Sequence, residues 1–165
     1  MTRHSSLKEL PAALQTLEAE PIFVLRLSVK PIIVVGETPA ANRRIGVVVS
    51  GSVEGEKISA SVLEGSSDLL AVRSDGSTTL DARLILKTDD DVHISMTYYG
   101  IRQMSDEVKK RMDKGQEVDP ASYYFRIAPT FEAPQGKYQW LNNILAVGVG
   151  HRLSTGPVYS VFEIK

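Results

Sequence analysis

Leu80-Asp81-Ala82-Arg83-Leu84-Ile85-Leu86-Lys87 is the stretch on which the fold of this chain turns. Leu80, Ala82, Leu84 and Leu86 point one way, and Asp81, Arg83, Ile85 and Lys87 the other. A period of two belongs to a half-buried β-strand, because successive side chains leave a pleated strand on opposite sides. The pattern recurs upstream, where Phe23, Leu25, Leu27 and Val29 form an apolar face against Arg26 and Ser28. It recurs downstream, where Val92, Ile94, Met96 and Tyr98 oppose His93, Ser95, Thr97 and Tyr99. Further β-type runs lie at 45–49, 57–63, 68–72, 123–128, 144–149 and 158–164.

Turn chemistry separates the runs. Ser74-Asp75-Gly76-Ser77 carries the Asp-Gly pair of tight hairpins, and Thr88-Asp89-Asp90-Asp91 is a polar break between two alternating strands. The three aspartates lack the spaced ligands, central glycine and distal glutamate of a calcium loop. Short strands punctuated in this way predict an all-β fold, an antiparallel barrel or sandwich. Two segments depart from it. Residues 11–19, opened by Pro11 with Leu14 and Leu17 on one side, predict a short N-terminal helix. Ser105 to Gly115 has a capping serine, acids first, cations later and a closing glycine, which predicts a polar surface helix inserted between strands. The chain therefore divides into a helical lead over 1–20 and one β domain over 21–165.

Composition narrows the chemistry. At 165 residues the chain can build one core unaided, and with no cysteine it has no thiolate metal site, disulfide or cysteine nucleophile. His4, His93 and His151 lie far apart without ligand spacing, so no metal is expected. A net charge of −1 argues against nucleic acid as the main partner. No apolar run reaches membrane-spanning length and the first residues carry charge where a secretory signal is apolar, so a cytoplasmic protein without membrane partners is expected. There is no phosphate-cradling glycine loop; Gly148 and Gly150 fall inside a β-type run, where a bulge or close backbone packing accounts for them.

Asp81 and Arg83 emerge from one face of their strand. If that face is outside they are a solvated surface pair; if it lines an interior, a desolvated arginine can hold an oxyanion while a carboxylate moves a proton. In Tyr138-Gln139-Trp140-Leu141-Asn142-Asn143, an extended backbone puts Tyr138, Trp140 and Asn142 on one face, as core or as pocket floor. Alternation sends the members of the doublets Tyr98-Tyr99 and Tyr123-Tyr124 to opposite faces, so only one of each can line an interior.

Taken together, Gly36-Glu37-Thr38-Pro39, Asp75 to Arg83 with its Leu-Asp-Ala-Arg string, Tyr99-Gly100-Ile101-Arg102, Tyr123-Tyr124-Phe125-Arg126, Tyr138 to Asn142 and Val149-Gly150-His151-Arg152 resemble the domain of unknown function 3237 family, also called uncharacterised protein family 0311. The resemblance implies an antiparallel β-barrel of about nine or ten strands with a central cavity, and a homodimer. Some fungal relatives are associated with cofactor-free ring closure in polyketide pathways, including addition of a hydroxyl across an alkene. Where the family usually reads Gly-Gly-Ala-Asp-Trp this chain has Ser66-Ser67-Asp68-Leu69-Leu70, which keeps a carboxylate as Asp68 and loses the aromatic and the paired glycines.

The expectation is a small-molecule-binding barrel, acting without cofactor as a cyclase, isomerase or hydro-lyase on a phenolic or polyketide-like substrate. Asp68 or Asp81 transfers the proton, Arg83 holds the oxyanion, and Tyr99, Tyr124, Arg126, Tyr138, Trp140 and Asn142 shape the substrate site. The alternative is a carrier or sensor that uses the same cavity without catalysis.

Overall fold

The computed structural model describes residues 6–165, so His4 and the first residues of the expected helical lead lie outside the described residues. Its strands are β1 (Ala19–Val29), β2 (Ile33–Glu37), β3 (Asn42–Glu54), β4 (Ser59–Val62), β5 (Ser66–Val72), β6 (Thr78–Thr88), β7 (His93–Gln103), β8 (Tyr124–Glu132), β9 (Leu145–Arg152) and β10 (Pro157–Ile164). One α-helix, α1 (Asp106–Asp113), joins β7 to β8. The strands are antiparallel and run β1-β10-β9-β8-β7-β6 before β3 returns to β1, closing an eight-stranded barrel with two extra strands. β4 and β5 share the place between β3 and β6: β4 pairs with Leu86–Thr88, β5 with Thr78–Arg83. β2 likewise extends the place of β1, pairing with Asn42–Ile45 of β3 where β1 pairs only from Val48 onward.

Alternation decides what fills the barrel. Leu80, Ala82, Leu84 and Leu86 of β6 are buried inside, with Ile94, Met96 and Tyr98 of β7 and Phe125, Ile127 and Phe131 of β8. Toward the end that holds the 89–92 turn the barrel interior is filled by buried apolar side chains, and Phe23 meets Phe131 edge to face at 6.0 Å. A five-residue 3-10 helix, Gln139–Asn143, presses Leu141 into the same end. The predicted extended backbone at Tyr138–Asn142 is therefore corrected: the chain coils there, and Tyr138, Trp140 and Asn142 do not share a strand face.

Other departures have physical causes. The predicted N-terminal helix is replaced by two separate 3-10 turns, Leu7–Glu9 and Ala12–Leu14, with no buried residue. Short helices gain most of their stability from packing an apolar face, and Leu14 and Leu17 are exposed. β2 escaped the alternation test because Ile33, Val34 and Val35 are all exposed, and its register shifts before Gly36, whose φ is +94°. α1 forms where expected, with the Ser105 hydroxyl accepting from the Val108 N–H at 3.3 Å and Gly115 left-handed at φ +72°. Among the described residues no helix is long and apolar enough to cross a membrane.

Gly150 permits a close interior contact between β9 and two aromatic rings. A β-carbon there would lie 2.7 Å from the Phe125 ring and 2.9 Å from the Tyr159 ring. Those rings meet edge to face at 5.2 Å, so neither can retreat without disturbing the other. Gly150→Ala is expected to destabilise the fold by about 1–3 kcal/mol through overpacking, read as a lower denaturant midpoint at unchanged slope.

Candidate functional site

The barrel is solid at one end and hollow at the other. Toward the end carrying the 73–77 turn, the 153–156 turn and α1, a cavity of about 780 Å³ opens between the strands. That lies within the range of pockets that hold small organic molecules. Its walls are apolar at Leu27, Val48, Leu70, Leu80 and Phe125, and polar at Asp68, Tyr98, Arg102, Arg152 and Tyr159. Lys109, Met112, Asp113 and Gln116 also line it. Three- and four-residue steps put these on one face of the helical segment, so the polar insertion, expected merely on the surface, roofs the cavity.

Asp68 is the central group. β5 directs its side chain inward, and only 8% of the residue is exposed. Oδ1 accepts the Asp81 backbone N–H at 3.1 Å, and Oδ2 accepts the Tyr98 hydroxyl at 3.3 Å. Among the described residues it has no ion-pair partner. Burial raises its pKa from the ordinary 3.8 to about 6, against the opposing pull of those two hydrogen bonds and of the Arg102 charge. Burial likewise holds the Tyr98 and Tyr159 phenols above their ordinary range, so both stay neutral donors. Their rings lie 5.7 Å apart, and the two buried phenols act on each other.

Arg102 follows Tyr98 and Gly100 inward along β7 and lies 5.6 Å above the Phe125 ring. Burial first, then the nearby charge of Arg152, lowers its pKa. His151 Nδ1 meets the Tyr123 hydroxyl at 2.9 Å, and that oxygen also accepts the Arg152 N–H at 2.9 Å, which ties β9 to the segment entering β8. Among the described residues no group of three or more histidines and acids is arranged to hold a metal ion.

Of the residues expected at the site, only Asp68 lines this cavity. Asp81 and Arg83 point outward and pair with each other, their side chains 48% and 65% exposed. Placing them inside is corrected by the alternation itself: the leucine face of β6 fills the interior, so the opposite face must look out. Tyr99 and Tyr124 are each 51% exposed on the outer face, Tyr99 accepting a hydrogen bond from Arg73. Arg126 stacks over Tyr124 at 5.0 Å, also outside the cavity.

Tyr138 is buried at the solid end and donates to Asp90 Oδ1 at 2.6 Å, while Asn142 exchanges two hydrogen bonds with the Ala133 backbone. Trp140 lies nearby under Lys57, at 5.6 Å. The groups that do face the cavity are the partners in the doublets and strings: Tyr98 rather than Tyr99, Arg102 and Arg152, with Tyr159 in addition. Tyr98 shares a phase with Ile94 and Met96, a signal present in the sequence.

A closed antiparallel barrel with an internal, ligand-sized cavity is thus the class this chain falls in. It belongs to the DUF3237 family, described as a protein of unknown function, whose family model matches residues 17–164. The UPF0311 protein of Clostridium acetobutylicum is 33% identical over 153 residues, covering 92% of this chain and 97% of that one. The crystal structure of the Rhodopseudomonas palustris protein RPA1785 is 32% identical with a TM-score of 0.86, covering 91% of this chain and 99% of that one. A β-barrel-like protein of Acinetobacter baumannii matches at 33% identity and a TM-score of 0.78, covering 91% and 97%. An enzyme from Penicillium herquei, at 20% identity and a TM-score of 0.68 over 90% of this chain and 95% of that one, shares the fold.

The buried carboxyl has a direct stability signature. The unfolded chain releases the Asp68 proton near 3.8 and the folded one near 6, so folding is favoured by the protonated form. That contribution is complete below 3.8 and is lost as pH rises through about 6. The difference corresponds to about 3 kcal/mol. Asp68→Asn, which cannot ionise, is expected to gain that much relative to the parent between acid and neutral pH, measured by denaturant melts across the range.

Proposed function

We propose that this barrel binds a phenolic or polyketide-like small molecule and catalyses its cyclisation, isomerisation, or hydration and dehydration, without cofactor, by proton transfer through Asp68. The observation that carries the reading is a buried carboxyl group facing a ligand-sized hollow with no ion-pair partner in direct contact among the described residues. A carboxylate tuned to about 6 is a competent base at neutral pH, unlike a surface aspartate. A structural ion pair would have the opposite tuning.

The chemistry follows from the groups around it. An ionised Asp68 accepts the proton of a phenolic hydroxyl as that oxygen adds to the far carbon of an alkene conjugated to a carbonyl. A C–O bond forms, and the alkene π pair moves onto the carbonyl oxygen as an enolate. Asp68 then returns its proton to the carbon next to the carbonyl. Atoms, charge and oxidation level balance within one molecule, and the reverse sequence opens the ring. Arg102 is the group that steadies the enolate, since a guanidinium in a site of low dielectric stabilises developing negative charge strongly. Tyr98, hydrogen-bonded to Asp68, orients the carboxyl.

The test is closure of 2′-hydroxychalcone to flavanone, followed by loss of chalcone absorbance. The parent protein is expected to accelerate it, with kcat/KM rising as pH passes through about 6. Asp68→Asn is expected to lose about 100-fold or more of that rate, whereas Asp81→Asn, on the outer face, keeps it. Equal rates for the parent and Asp68→Asn, or binding without acceleration over buffer, overturn the proposal.

A further inference from the structure

Three arginines reach the cavity from three different strands: Arg44 from β3, Arg102 from β7 and Arg152 from β9. Among the described residues none of the three is in an ion pair. Buried or half-buried guanidinium groups are ordinarily paired, because their desolvation is costly and they carry five N–H donors in a fixed fork. Here none of the three is paired with a carboxylate through those donors among the described residues. Among the described residues the Arg44 Nε is buried with no hydrogen-bond partner. The charge of Arg152 also acts against that of Arg102, and the Asp68 charge offsets this only in part, so Arg102 is held below its ordinary range.

An arrangement of this kind is completed by a group that brings negative charge and several acceptor oxygens. Inorganic anions would satisfy the arginines but leave the apolar walls at Leu27, Val48, Leu70 and Phe125 uncovered. A carboxylate joined to an aromatic or otherwise flat apolar body satisfies both, since arginine forks bind carboxylates through two parallel hydrogen bonds. We propose that the ligand of this cavity is an aryl carboxylic acid, its carboxylate held among Arg44, Arg102 and Arg152 and its ring against the apolar wall. The inference rests on the preceding reading only in taking the hollow as a binding site; it does not depend on the catalytic role of Asp68.

Naphthoate and naphthamide, which differ in charge but hardly in shape, test it by titration calorimetry with the full chain at neutral pH. Naphthoate is expected to bind about ten-fold or more tightly than the amide, with the preference shrinking as salt is raised. Arg102→Gln and Arg152→Gln should each remove most of that preference. Arg44→Gln serves as a third variant should either of those not fold. Equal affinity for the two probes, or a preference that survives all the arginine substitutions that fold, overturns the inference. Asp68→Asn is expected to keep the carboxylate preference while losing chalcone closure. Loss of preference with closure intact therefore fails this inference alone, and preference without closure fails the catalytic reading alone.

Discussion

A residue on a strand of a closed barrel has only two destinations, the interior or the outer surface, and its neighbours in sequence must take the other one. Closure makes the constraint global, because every strand except β2 is fixed in register by hydrogen-bonded partners on both sides. Leucines at alternate positions of β6 commit that strand's phase. Pairing of β6 with β5 sets Asp68 opposite Ala82, so the carboxyl must share the interior with an apolar row. The raised pKa of Asp68, its bond to Tyr98 and the inward course of Arg102 all descend from that register.

The barrel divides its labour along its axis. At the solid end, large side chains such as Phe131, Met96 and Leu86 are almost wholly buried and supply the hydrophobic stabilisation. At the hollow end, glycine, charged residues and tyrosine interrupt the apolar walls. Gly46 lies opposite Asp68 across the β3–β5 pair. Apolar residues at Asp68 and Arg102 would fill space and remove two desolvated charges, so the polar hollow costs stability that the solid end offsets. Such an expense is characteristic of functional sites.

Much of the fold was legible because alternation is a local property. The apolar faces of β1, β6 and β7, the polar hairpin at 89–91 and the capped helix α1 all follow from short-range chemistry. β2 was not legible, since three adjacent apolar residues facing solvent carry no period. The site was harder. Asp68 and the arginines come from strands distant in sequence, and only the ring closure brings them together. Tyr98 could have been chosen over Tyr99 from its phase with Met96, and the same phase argument excluded Asp81 and Arg83 from the interior. At Tyr138–Asn142 the error lay in assuming an extended backbone, without which spacing by two says nothing about a shared face.

The position of Trp140, the one tryptophan of the chain, has a practical meaning. It sits at the solid end beside Lys57 and Tyr138, while the residues that line the hollow belong to the opposite end. Indole emission will thus track whether the plugged end is intact and stay nearly blind to occupancy. The tyrosines at the hollow, Tyr98 and Tyr159, are the built-in optical reporters of a bound guest.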